Sequence, residues 1–392
     1  MKRSPQLRIA KSADESFSRN AITAALLLAG LVSPASAIET VWFGGTGDWG
    51  LATDWSFGVP GIGDVANIAA GTAMLNFDTT ILGLQLSGGT LSGTDKLTVT
   101  GFSNWTGGTL TGTRTTSFSG GLAITGNTTK TLSAGRTLTL AGNSSWSANT
   151  VANSNTLFFN GGNLANTGSL TDANAFDSLA QNFSGTNAFN NSGSYTKTGA
   201  ATTTVRVAYN NTGTTSVNAG ALAFTNSLAN TGILAGIGTV AAPTAGLAND
   251  GAIDPGISGT GKLTIAGNLT LDSSSALDLD LASLANFDRL AVTGNAKLGG
   301  RISVSDLGYT PVIGDSFVVM TFAQDLGSSR FSGLDLHGFA PGVAFDVIYN
   351  AGNVTLSVVA VPVPEPAQAL MLFAGLGVLG ALARRRFALA GA

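Results

Sequence analysis

The chain has 392 residues, and only 10 % of them are charged, while 53 are glycine and 44 % are hydrophobic. That apolar content is too high for a disordered chain, so the Gly/Ser/Thr/Asn-rich composition points to a folded protein built of short strands. There is no cysteine and a single histidine, His337. Disulfides, thiol catalysis, cysteine-based zinc sites and two-histidine mechanisms are therefore excluded, and no cofactor is expected.

Charge is unevenly placed. Lys2, Arg3, Arg8, Lys11 and Arg19 crowd the N-terminus and Arg384, Arg385 and Arg386 the C-terminus. Residues 38–366 hold 11 Lys and Arg against 20 Asp and Glu, a net of −9. A domain of that sign has no basic footprint for nucleic acid and repels polyanions.

Residues 1–37 read as a secretory signal peptide. A basic leader precedes a 12-residue apolar run at 21–32, which is short for a spanning helix, and the small-residue pattern Ala35-Ser36-Ala37 follows, so Ala35 and Ala37 mark the signal-peptidase cleavage site. Residues 38–65 hold three of the five tryptophans, Trp42, Trp49 and Trp55, among glycines, and are expected to cap the domain that follows. Within them Gly45-x-Gly47-x-x-Gly50 matches a dinucleotide fingerprint by spacing, but no helical pattern follows it, so the match carries no binding site.

Residues 66–303 are repetitive. Asn-x-Gly recurs as Asn166-Thr167-Gly168, Asn191-Ser192-Gly193, Asn211-Thr212-Gly213, Asn230-Thr231-Gly232 and Asn249-Asp250-Gly251, at intervals of 25, 20, 19 and 19 residues. Gly88-Gly89-Thr90-Leu91 returns 19 residues later as Gly107-Gly108-Thr109-Leu110, and Trp105 is echoed 41 residues later by Trp146. A period near 20 with alternating stretches such as Lys96-Leu97-Thr98-Val99-Thr100 suits an all-β, parallel β-solenoid. Its winding is expected to be right-handed. Apolar side chains fill the inside, Thr and Ser decorate the outside, and Asn and Gly take left-handed turns, with asparagine amides paired along the axis. Roughly 12 coils at ~4.8 Å make a rod on the order of 55–60 Å long. The competing arrangement is a sandwich of antiparallel hairpins, whose 8–12-residue strand spacing also fits.

Two patterns in this half invite chemistry. Asp278 and Asp280 alternate with Leu277, Leu279 and Leu281, so on a strand both carboxylates share one face. They suit acid–base work on sugars or calcium ligation, but alternation alone accounts for them as a solvated face. His337, with Asp335 two residues away to orient it, lacks a recognisable nucleophile motif. No enzyme activity is expected, the alternative being a carbohydrate-active β-helix enzyme acting on exopolysaccharide.

From 304 to 360 the pattern changes to longer apolar strands, at 315–322, 344–349 and 353–358, read as an antiparallel C-terminal cap. Residues 361–366 form a proline-rich linker, 367–383 an uncharged segment at the lower limit for a transmembrane helix, and 384–392 a basic tail. Arg384, Arg385 and Arg386 stop the span and hold the tail in the cytoplasm, with the domain on the far side of the membrane.

The order Pro364-Glu365-Pro366, apolar span, arginine cluster closely resembles the PEP-CTERM sorting signal of Gram-negative bacteria. The resemblance implies recognition by an exosortase, a membrane transpeptidase cutting near the tripeptide, and a setting of exopolysaccharide production and biofilm. The Trp/Gly-rich opening and the repeats resemble autotransporter passenger domains. No set of lipid-facing strands follows, so self-transport through a barrel is not expected. Together these features imply an exported protein, transiently membrane-anchored, then placed on the cell surface or in the extracellular matrix. Its role there would be structural or adhesive, with matrix glycans as partners.

Overall fold

The computed structural model describes residues 37–360. The signal-peptide segment, apart from Ala37, and the linker, span and basic tail lie outside the described residues. Within them no helix is long and apolar enough to cross a membrane.

Forty short strands are distributed over three sheets of 14, 15 and 11 strands, here sheets I, II and III. Through the repeated coils each turn of the chain gives one strand to each sheet, and these strands pair in parallel with their counterparts one coil away. The result is a β-solenoid of about 12 turns, and the sandwich alternative is overturned. The repeats stack as their spacing demands. Thr90 and Leu91 lie beside Thr109 and Leu110, while Trp105 and Trp146 share one column of sheet I with Ile124 between them.

Alternation within each strand sends every second side chain inward. In strands such as Thr202–Val205 and Ala221–Phe224, Thr and Ala face out while Thr203, Val205, Leu222 and Phe224 are buried. Phe189, Tyr195, Tyr209 and Phe224 meet edge-on or tilted in the interior, with ring centroids 5.0–6.3 Å apart. No coil can bury such a face alone, so the hydrophobic core exists only because coils stack.

The Asn-x-Gly series forms one buried column at the end of successive sheet III strands. Asn166 donates its Nδ2 to Asn191 Oδ1 at 2.7 Å, Asn191 to Asn211 at 2.7 Å, Asn211 to Asn230 at 2.6 Å and Asn230 to Asn249 at 2.6 Å. Asn249 Nδ2 closes on Gly251 O at 2.7 Å, and the first acceptor, Asn166 Oδ1, has no partner. The turn glycines serve a purpose other than the left-handed backbone expected of them. None of Gly193, Gly213, Gly232 and Gly251 has positive φ. Instead, a Cβ on Gly213 would meet Gly193 O at 2.1 Å, and one on Gly232 would meet Gly213 O at 2.0 Å. Coil backbones pass so closely at this corner that only glycine fits.

Both ends are closed. Trp55 packs edge-on between Trp42 and Trp49, with centroids at 5.0 and 4.8 Å, and donates its indole N–H to Trp49 O at 2.8 Å. At the other end the hairpin Val343–Asn350 and Asn353–Ala360 adds antiparallel strands to sheet II beside Ser316–Thr321. Sheet I meanwhile continues in parallel through Arg301–Asp306 to Gly333–His337.

Replacing Asn211 by Ala removes a donor and an acceptor from the middle of the ladder and strands its neighbours. The expected loss is about 1–3 kcal/mol of unfolding free energy, read from urea denaturation. Gly232→Ala should cost at least as much by backbone displacement, whereas Ala substitution of the outward Thr204 should change little.

Candidate functional site

The C-terminal coils gather the acidic residues singled out by alternation. In the strand Ala276–Leu281, Leu277, Leu279 and Leu281 are buried, and Asp278 and Asp280 face outward, half-buried. Asp254 belongs to the preceding sheet I strand, Ala252–Pro255, and Asp288 to the turn leading into Arg289–Val292. Asp254, Gly256, Ser258, Gly259, Asp280 and Leu307 line a cleft of about 200 Å³.

Asp288 was not evident as a site residue from sequence, and it holds this corner together. Fully buried, it accepts the backbone N–H of Gly261 through Oδ1 at 2.6 Å and that of Asp280 through Oδ2 at 2.8 Å. It thereby ties its own turn to the strand Ala276–Leu281 and to the residue preceding the strand Lys262–Ala266. Burial, reinforced by the neighbouring Asp280 and Asp254 carboxylates, outweighs these two donors and pushes its carboxyl up to about 7. Asp254, Asp278 and Asp280 are raised as well, chiefly by burial. Ser303 and, less so, the neighbouring His337 pull Asp278 the other way.

Asp335 does not orient His337 as the sequence suggested. The two lie along one strand, Gly333–His337, and Asp335 forms an ion pair with Arg301 of the adjacent strand. Strand alternation places them on one face but the guanidinium next door captures the carboxylate. The cleft beside Asp280 is lined by Asp254 and Asp280 and by no Lys, Arg or His, and Asp278 is not among its lining residues. Among the described residues no group of three or more His, Asp or Glu is arranged to hold a metal ion. The Gly45-x-Gly47-x-x-Gly50 run includes the strand Thr46–Asp48, and among the described residues the only helical turn following it is Ala52–Asp54.

A second charged centre, unseen in the sequence, sits inside the solenoid. Asp172 and Lys197 are register partners in adjacent sheet I strands, both fully buried, with Nζ 3.7 Å from Oδ2. Asp172 also accepts Tyr195 Oη at 2.8 Å, the Thr203 hydroxyl, and Asn174 Nδ2 at 3.0 Å. Burial pulls the Lys197 ammonium down while Asp172 supports its charge, and burial beside Asp172 pushes the Tyr195 phenol well up. The arrangement has no opening to solvent and is structural in kind.

The sequence profile of the PEP-CTERM protein-sorting motif matches residues 362–386. The match covers Pro364, Glu365, Pro366, the apolar segment and Arg384, Arg385 and Arg386, all outside the described residues. No curated protein matches the chain. The likeness to autotransporter passengers is accordingly a loose one of architecture. This chain is a β-solenoid that carries a PEP-CTERM sorting motif at residues 362–386.

Two outcomes test these centres. Asp288 binds its proton more tightly in the folded chain (about 7) than at its ordinary value of 3.8. Its contribution to stability therefore falls as pH rises from about 4 to 7 and is level beyond that. Asp288→Asn should make that slope shallower in a series of urea midpoints between pH 4 and 8, leaving the part of the same sign that Asp254, Asp278 and Asp280 contribute. Lys197→Met leaves the Asp172 charge buried without a cation and should cost about 3–5 kcal/mol, while the Asp172→Asn, Lys197→Met pair should recover much of it.

Proposed function

We propose that the solenoid serves as a non-catalytic structural or adhesive element of the envelope or of an exopolysaccharide and biofilm matrix. The sorting motif supports this reading, since it implies an exported protein destined for the surface or exterior of the cell and processed by an exosortase. In this reading the signal peptide ends at Ala37 and signal peptidase removes it. The segment 367–383 then halts in the inner membrane, with Arg384, Arg385 and Arg386 on the cytoplasmic side, until processing near Pro364-Glu365-Pro366.

The observation that carries the reading is the conjunction of a sorting motif with a long stacked domain whose outward rows are mostly hydroxyls and amides. Such a surface is suited to hydrogen bonding with matrix glycans or to O-linked sugar.

Deleting residues 362–386 should abolish surface retention. Fractionation of cells expressing full-length and truncated chains, with intact-mass measurement of the surface form, reads both the location and the two cleavages. An unchanged distribution, or an unprocessed full-length chain at the surface, rejects the proposal.

A further inference from the structure

On the solvent side of sheet II one position per coil falls into a straight file. Thr72 is in register with Thr90, Thr90 with Thr109, Thr109 with Thr131, Thr131 with Phe158, and Phe158 with Gln181. All six are half-buried, and each strand turns its neighbours Ala73, Leu91, Leu110, Leu132 and Phe159 into the core. The file advances by one strand spacing, ~4.8 Å, per coil. One coil beyond Gln181, Arg206 Nη1 donates to its Oε1 at 3.0 Å and holds the amide in place.

At the sixth rung the sheet departs from regularity. Phe159 opposes Asn182, yet Asn160 opposes Ser184, so Phe183 is the extra residue of a bulge. A bulge re-aims a side chain that regular pleating would send elsewhere. Phe183 is 69 % exposed, and its ring meets Phe158 edge-to-face at 6.2 Å. Two phenylalanines thus stand in and beside a file whose other positions are Thr and Gln, where packing of the core does not require them. With Thr129, Thr131 and Asn160 they line a cleft of about 170 Å³ that contains no charged side chain.

We propose that this file is a docking track for a neutral, extended polysaccharide lying along the solenoid axis, with one sugar seated on the Phe158–Phe183 pair. A pyranose ring presents a C–H face that packs on an aromatic ring and an equatorial rim of hydroxyls. The cleft offers both complements, the rings and the Thr131 and Asn160 polar groups. Neutrality follows from the uncharged lining and from the net −9 of residues 38–366, which disfavours polyanions. Extension follows from the straight file at one strand spacing per coil, since an extended β-1,4-linked glucan advances by roughly that distance per sugar whereas a coiled α-1,4-linked glucan leaves the line. The track names a ligand class for the surface role proposed above and rests on it for its biological setting, but its binding chemistry does not.

Calorimetric titration of the full chain tests it with three probes: cellohexaose (neutral, extended), maltohexaose (neutral, coiled) and polygalacturonate (acidic). Cellohexaose should bind saturably, with the other two at least roughly tenfold weaker. Phe183→Ala should weaken cellohexaose binding roughly tenfold at an unchanged urea midpoint, because the side chain is exposed. Phe176→Ala, exposed in a loop away from the file, should leave it unchanged. Absence of cellohexaose binding, equal binding of polygalacturonate, or wild-type affinity in Phe183→Ala overturns the track. Mislocalisation of the truncated chain bears on the surface role alone, so the two proposals fail separately.

Discussion

The constraint on which the molecule depends is the repetition of one strand spacing along its axis. Every inward position recurs about 4.8 Å away in the next coil, so each interior side chain must be acceptable to a near-copy of its own environment above and below. An apolar residue meets that condition trivially. A polar one meets it only if it donates on one side and accepts on the other. The carboxamide does both, and the column Asn166, Asn191, Asn211, Asn230, Asn249 is the outcome. The same column begins as Ile81, Val99, Phe118 and Leu140 and resumes as Leu271, so the solenoid switches one position from apolar to amide and back. The switch leaves Asn166 Oδ1 facing Leu140 without a donor, a local cost that one unmatched acceptor concentrates at the ladder's start.

Charges enter the interior under the same condition and satisfy it differently. Buried Arg136 reaches the carbonyls of Thr111 and Asp95 at 2.8 and 2.9 Å, and buried Lys130 those of Thr128 and, through its amide, Asn155. Both lose basicity to burial, Arg136 to about 10 and Lys130 to about 8. Each closes turns that the short strands leave with unpaired carbonyls. The Asp172–Lys197 pair instead occupies the column that Trp146 and Ile124 fill in earlier coils, so a cation and an anion replace two large apolar side chains in register. A buried pair of this sort specifies register more than it adds stability: sliding either strand by one residue sends a charge to the wrong face.

The sequence carried the solenoid and its Asn ladder because both rest on periodicity, which survives projection onto one dimension; that each turn holds three strands came from the structure. Asn-x-Gly at 19-residue intervals and the paired Gly-Gly-Thr-Leu runs are the stacked coils written out. What periodicity does not contain is which aperiodic residue is buried. Lys130, Arg136, Asp172, Lys197 and Asp288 look like surface charges until the register places them opposite their partners. The alternation around Asp278 and Asp280 was legible because Leu277, Leu279 and Leu281 set it, whereas the nearness of Asp254 and Asp288 was not. The reason for the turn glycines was not legible, because a close approach between coils leaves the same letter in the sequence as a left-handed turn.

This division also decides where such a chain is free to carry function. Inward positions answer to the coils above and below, and the ends answer to the need to hide open sheet edges, which Trp42, Trp49 and Trp55 and the 343–360 hairpin do. The outward rows answer to neither. Substitution there leaves the stack intact, yet register converts any residue type repeated at the coil period into a line of evenly spaced groups. An irregularity in such a line, such as the bulge that lifts Phe183 beside Phe158, is then not absorbed by the fold and has to be accounted for by what the surface meets. A sorting motif outside the solenoid and an aromatic break in a hydroxyl file on its flank are thus separable features, one setting where the rod is delivered and the other what it can hold there.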